Sequence, residues 1–272
     1  VVVPTRDRPE ALATCLRALD RQEGVQPEVV IVDDASADPV AVDRVVTGWP
    51  GTRLLVGEGR GPAAARNLGA RAARADVICF TDDDCRPRPD WASALLGRLA
   101  ATPGAAAVGG PTVVGVAGDA VATAAQIVTN HLVDASFDPA TGHLGFVPTS
   151  NLAVRTEVHR AIPFDEEYPL AAGEDRDWCD RLAGRGEVLV YEPAALVDHH
   201  PDLDLRRFWR QQVRYGRGST HFRTGEGRGR QSLAFYTGLL RRGLADGPRV
   251  GALVALSQVA TAVGTAQEHL HR

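Results

Sequence analysis

With 272 residues, 44% of them apolar, and a formal charge of -4, the chain has the size and composition of one large α/β core, alone or with a small appendage. The acidic balance argues against a nucleic-acid partner, and the arginine-rich stretch toward the C-terminus lacks the aromatic stacking sheet such a partner needs. All 30 basic residues are arginine, a bias that genome composition explains as well as any function.

The first strand is Val1 to Val3, closed by Pro4-Thr5. It is too short and lacks the flanks for a signal peptide, and it reads as the interior of a strand, so residues are expected upstream. Asp7, with Glu10 three positions on, predicts a capping box for a helix that begins near Arg8 and buries Leu12, Leu16 and Leu19. Val29 to Val32 gives a second strand, ending at Asp33-Asp34-Ala35-Ser36, which completes a βαβ unit. Arg53 to Val56 is a third strand. A glycine-rich turn over Gly57 to Pro62 then leads into a helix over Ala63 to Ala73. The glycines lack the dinucleotide-fingerprint spacing. Arg66 and Asn67 lie in the first turns of this helix, where backbone N–H groups favour an anion, although a surface arginine has the same sequence signal.

Val77 to Pro87, reading VICFTDDDCRP, is the organising stretch. A buried strand runs into Asp82, Asp83 and Asp84 and then a Cys-Arg-Pro turn. All three carboxylates cannot be buried unpaired. Asp82 and Asp84, as alternate residues, can point to one centre, where hard oxygen ligands suit Mg²⁺ or Mn²⁺ with phosphate oxygens completing the shell. The competing reading is a solvated acidic turn. Cys85 is read as an apolar neighbour of the site. Cys15, Cys79, Cys85 and Cys179 form no metal-ligand spacing and no disulfide framework, which makes a reducing cytoplasm the default.

A helix over Pro89 to Ala101 and short strands at Ala105 to Val108 and Thr112 to Val114 complete one sheet covered on both faces. A helix around Asp119 to Asn130 follows, then a stretch of poor periodicity over Asp134 to Gly145. Asn151 to Arg155 is a strand, Glu157 to Ala161 a short turn or helix, and Pro163 to Ala172 a loop. Glu174 and Asp175 open another helix. Strands at Val188 to Tyr191 and Ala195 to Val197 end at Asp198-His199-His200. From Asp202 to Arg242 the chain holds ten arginines against three acids. Gly216 to Gly229 reads as mobile, and Leu253 to Val263 as a weakly apolar helix. No apolar run reaches the length expected of a membrane span.

Three acidic clusters therefore sit at strand ends or a helix start. Together with VVVPTRDRP, VVIVDDAS, GPAAARNLG, VICFTDDDC, PTSNLAVR and GEDRDWCDRL, they resemble the family 2 glycosyltransferases, over about residues 1–216. The resemblance implies a GT-A fold: α/β, a single Rossmann-like mixed sheet flanked by helices, with a helical C-terminal extension. It divides the chain into a catalytic domain at 1–216, donor half about 1–110 and acceptor half about 111–216, and a flexible basic loop and helical extension at 217–272. It places Asp33 in a nucleotide-base pocket with Pro4, Thr5 and Arg6 nearby, and it makes Arg66 a donor-contacting residue. Asp82 and Asp84 match the family's DxD motif, for ribose and metal contacts, with Asp83 between them on the donor side.

The chemistry implied is displacement at an anomeric carbon. A divalent ion on Asp84 neutralises the departing diphosphate, and a general base activates the acceptor hydroxyl from the opposite face of the sugar. The family's ED motif makes Asp175 that base, with Glu174 orienting a neighbour or the acceptor; the competing reading is two acids favourably placed at a helix N-terminus. His199 is the expected third metal ligand, with His200 as the alternative. Gln211 and Arg214 match part of the Gln-x-x-Arg-Trp motif of processive synthases, but Tyr215 replaces tryptophan, which favours transfer of one sugar to a discrete acceptor. Arg214 would meet donor phosphate.

The expected activity is thus a metal-dependent, inverting glycosyltransferase using a nucleotide-diphosphate sugar, with UDP the first expectation for the base. The acceptor is a small molecule, a glycan or a lipid-linked molecule. A cytoplasmic location, peripheral contact with the inner membrane face through the arginine-rich region, and a homodimer complete the expectations. An inactive nucleotide-sugar-binding protein is the main alternative, and a nucleotidyltransferase the second.

Overall fold

Pleating sends Val2 of β1 (Val2–Thr5) to one face of the sheet and Val3 to the other. The division repeats in β2 (Val29–Asp33), where Val30 and Val32 join Val2 while Val29 and Ile31 join Val3. Burial of both faces is why these strands read as unbroken apolar runs. The computed structural model describes residues 1–168, 172–223 and 231–270. Between the two strands, α1 (Pro9–Leu19) buries Leu12, Leu16 and Leu19 as its spacing predicts. The expected capping box does not form. Asp7 takes a left-handed φ of 57°, and its carboxylate accepts the Ala37 N–H at 2.7 Å, tying this loop to the one after β2.

Next come α2 (Pro39–Thr47), β3 (Thr52–Val56), α3 (Pro62–Ala72), β4 (Val77–Phe80) and β5 (Cys85–Pro87). They are followed by α4 (Trp91–Ala101), β6 (Ala105–Gly109), β7 (Thr112–Val114) and α5 (Ala120–Ser136). The aperiodic stretch contains two short strands, β8 (Phe137–Asp138) and β9 (His143–Leu144). After a 3₁₀ turn, β10 (Leu152–Arg155), α6 (Thr156–Ala161), α7 (Glu174–Gly184), β11 (Val188–Tyr191) and β12 (Val197–His199) complete the α/β part. The chain ends in α8 (Leu205–Arg223), α9 (Leu233–Ala245) and α10 (Pro248–Leu270).

The main sheet is mixed, in the order β3-β2-β1-β4-β10-β6-β11-β9-β8, and β10 runs antiparallel to both β4 and β6. A second sheet, β5-β12-β7, corrects the expectation of a single one. Cys85 to Pro87 is accordingly a strand and not a turn. Its buried Cys85 and Pro87 flank exposed Arg86, and it pairs antiparallel with β12, setting Cys85 opposite His199. The strand expected at Ala195 begins two residues later, because the Ala195 N–H closes a turn on the Glu192 carbonyl at 3.2 Å.

The expected boundary at residue 216 falls inside α8. That helix carries the expected mobile stretch through Arg223, while 224–229 lie outside the described residues, as do 169–171 of the expected loop. At Gly264 of α10 an added Cβ would stand 1.9 Å from the Val213 carbonyl oxygen, and at Gly216 it would stand 2.0 Å from that of Thr261. Backbone meets backbone across this pair. The 23-residue α10 is long and apolar enough to cross a membrane by length and composition, where the sequence reading expected no such run. Val250, Gly251, Val254, Ser257, Ala260 and Gly264 are its buried positions, facing the α8 and α9 side.

Candidate active site

Beyond the end of β4 the three aspartates part company. Asp83 turns inward and is 1% exposed; it accepts the Thr5 hydroxyl at 2.8 Å and lies 2.9 Å from an Arg8 nitrogen. Burial pushes its carboxyl up to about 7 against the pull of Arg8. Asp82 accepts Arg66 Nη2 at 2.6 Å. Asp84 accepts Arg8 Nη1 at 2.8 Å, and its other oxygen lies 3.5 Å from His199 Nε2. Burial works to raise the Asp84 carboxyl, but the His199 contact and the Arg8 charge hold it below the usual carboxylate range.

Asp84, Cys85 and His199 bring ligand atoms within 4.8 Å of one another. The carboxylate oxygen and imidazole nitrogen fit a Mg²⁺ or Mn²⁺ ion whose remaining positions go to phosphate oxygens and water. Burial pushes the Cys85 thiol well up, so it stays protonated and is a poor partner for such an ion. Asp82 stands outside this cluster, held by Arg66. His200 points elsewhere, with its ring against Gly115, where an added Cβ would be 2.1 Å away.

Arg66 lies in the early turns of α3, nine-tenths and more buried, and bridges from Asp82 to Glu174, whose oxygen is 3.4 Å from its Nη1. Glu174 opens α7, and burial with the neighbouring Asp175 charge pushes its carboxyl up to about 7. Asp175 is half-buried; burial raises its carboxyl, while the Arg176 N–H, donating to it at 2.8 Å, opposes that rise. Gly173, just before them, has a φ of 94° and would bring a Cβ within 3.1 Å of the Gly218 carbonyl oxygen. A side chain there is strained twice, by its backbone and by α8.

A cavity of about 890 Å³ joins these groups. Pro4, Thr5, Arg6, Arg66, Asp82, Asp84, Glu174, Asp175, His199 and Arg214 all line it. Asp33 and Asp83 do not; both lie behind its wall, and the Asp33 carboxylate accepts the Ser36 N–H at 3.0 Å. Asp34 is at the wall instead, accepting the Gly59 and Gly61 N–H groups at 2.9 and 2.8 Å and so fixing the glycine turn. Arg8 and Gln126 are among the lining residues that the sequence did not mark as candidates, and Asp34 lines the cavity in place of its neighbour Asp33. Arg8 reaches the aspartates across 76 positions, and nothing in the sequence marks that pairing.

Over 232 residues the chain is 34% identical to the pre-mycofactocin glycosyltransferase of Mycobacterium tuberculosis, covering 79% of this chain and 45% of that protein. It is 26% identical over 225 residues to the glycosyltransferase AglE of Haloferax volcanii, covering 80% and 71%. The chain thus spans less than half the length of the mycobacterial relative. Among solved structures, the mannosyltransferase PcManGT of Pyrobaculum calidifontis in complex with GDP-Man and Mn²⁺ superposes with a TM-score of 0.63 at 20% identity, over 97% of this chain and 74% of that one. That likeness establishes a shared fold. Residues 1–161 match the model of glycosyl transferase family 2, and the chain belongs to that family.

Proposed function

We propose that this chain transfers one sugar from a nucleoside-diphosphate sugar to a hydroxyl of a discrete acceptor, with inversion at the anomeric carbon. One observation carries the reading: Asp82, Asp84 and His199 face Glu174 and Asp175 around a single cavity. Its volume of about 890 Å³ suits a nucleotide sugar. Pro4, Thr5, Arg6 and Asp34 form the end that takes the nucleotide. Arg66 and Arg214 bring positive charge to the diphosphate.

Asp84 and His199 would hold the divalent ion, which when bound supplies Lewis-acid neutralisation of the leaving diphosphate. Asp175 takes the proton from the acceptor hydroxyl as that oxygen attacks the anomeric carbon, and the bond to the diphosphate breaks on the opposite side. Burial raises the Asp175 carboxyl, which makes it a better proton acceptor than an ordinary surface aspartate. Arg66 holds Glu174 in place beside it. The proposed location is the cytoplasm. Peripheral contact with anionic headgroups is supported by exposed Leu233, Leu240 and Leu244 beside Arg241 and Arg242 on α9.

The test is a nucleotide-sugar panel, UDP-sugars first and GDP-sugars next, scored for nucleotide release with Mn²⁺ and then for transfer to small acceptors. Product NMR should show the anomeric configuration inverted. Release of pyrophosphate in place of a nucleoside diphosphate would overturn the reaction class, and a retained configuration would overturn the inverting route.

A further inference from the structure

Part of the cavity wall beside His199 is made by α5, a helix that carries none of the acids of the site. Its Gln126 is 6% exposed, and its Oε1 lies 2.9 Å from His199 Nδ1. Behind it the line continues. Gln126 Nε2 donates to Asn130 Oδ1 at 2.8 Å, and Asn130 Nδ2 donates to the Thr112 carbonyl at 2.9 Å. Gln126 and Asn130 are one helical turn apart and so share a face of α5. Thr112 begins β7, the strand that pairs with β12 and sets Val114 beside His199.

The direction of this line is fixed at its far end. A backbone carbonyl can only accept, so Asn130 must turn its NH₂ to Thr112 and its oxygen to Gln126. Gln126 must then give its own NH₂ to Asn130, which leaves its oxygen for the histidine. An amide oxygen also only accepts, so His199 Nδ1 carries a proton. In a neutral imidazole the lone pair is then on Nε2, the nitrogen that faces Asp84.

We propose that Gln126, anchored through Asn130 to the Thr112 carbonyl, is a positioning residue that fixes the ring and tautomer of His199 so that Nε2 is presented to a divalent cation on Asp84. Without that line the ring can turn over, which puts a C–H where Nε2 stood, or exchange its proton, which puts an N–H there, and either change takes the lone pair from the cation. The inference rests on the metal role proposed for Asp84 and His199. The partner of a ligating histidine's second nitrogen commonly controls affinity in this way.

The experiment uses Mn²⁺ alone, titrated into the full chain and read by the electron paramagnetic resonance of the free ion. Gln126→Leu should weaken Mn²⁺ binding about 10- to 100-fold, with Asn130→Leu in the same direction and His199→Ala at least as severe. Gln126→Glu keeps an acceptor for Nδ1 and should retain the affinity that Gln126→Leu loses. As a second readout, ¹⁵N NMR of histidine-labelled, metal-free wild type, at a pH where the ring is neutral, should show His199 already protonated at Nδ1. This reading needs no variant, so it decides the matter even where Gln126→Leu fails to fold. A proton on Nε2 in that spectrum would overturn the inference. So would wild-type Mn²⁺ affinity in Gln126→Leu alongside a clear loss in His199→Ala. Equal Mn²⁺ affinity in His199→Ala and wild type would sink the metal role itself, a distinguishable failure.

Discussion

Asp175 and His159 show burial acting on two ionisable groups with opposite consequences. Replacing Asp175 with Asn keeps size and much of the hydrogen bonding but removes the proton acceptor. Transfer should fall by roughly 10²- to 10⁴-fold with donor affinity kept, measured by initial rates and calorimetry; near-normal turnover would eliminate this base. Because burial raises the Asp175 carboxyl, the wild-type rate should begin to fall, on acidification, above the ordinary aspartate value of about 3.9. His159 is 3% exposed among Phe80 and Phe164, and neither ring nitrogen has a hydrogen-bond partner among the described residues. Burial lowers its imidazole to about 4. Below the unfolded value of about 6.5 the unfolded chain binds a proton that the folded chain refuses, so stability drops as pH falls from there toward about 4. His159→Phe should flatten that part of the stability curve in chemical denaturation, and an unchanged acid slope would refute the assignment. Asp82 and Asp84 were legible as facing one way from strand alternation alone. Asp83 was expected on the donor side, and its inward turn onto Thr5 and Arg8 was not foreseen, since pairings across more than 70 positions leave no periodic trace.

At the scale of elements, the α8–α10 contact depends on two positions that tolerate no side chain. A Cβ at Gly264 or Gly216 meets backbone oxygen, which cannot swing aside as a side chain can. Gly264→Ala should therefore destabilise by about 1–3 kcal/mol in thermal or urea melts, as overpacking does. Gly97, exposed in α4 with nothing within 4 Å of an added Cβ, is the control. Gly97→Ala should stabilise by about 0.5–1 kcal/mol through helix propensity alone. If both substitutions raise stability, the close α8–α10 packing is wrong. Strands buried on both faces and helices with clear leucine spacing were readable in the sequence. α2 escaped notice because Val42 and Val46 are its only buried residues. β5 exists through pairing with the distant β12, which no local pattern announces, and the β8–β9 hairpin has strands of two residues, too short for alternation to show. The apolar length of α10 was hidden by Ser257, Gln258 and Thr261 within it.

Across the whole molecule, the donor-side strands, the α7 start and α8 are joined by one cavity, and their separate motifs gain meaning from that closure. The acidic clusters could be read as a set in the sequence. The wall contributed by Gln126 of α5 could not, because that helix carries no motif and no register relative to the βαβ pattern. Calorimetric titration of UDP and of GDP into the full chain, once with Mn²⁺ and once with excess chelator, tests the metal-dependent donor site most directly. The expected result is that one of the two nucleotides binds with Mn²⁺ and that its binding is lost with chelator and in Asp84→Ala. Equal binding with chelator and with Mn²⁺, or an unaffected Asp84→Ala, would contradict it.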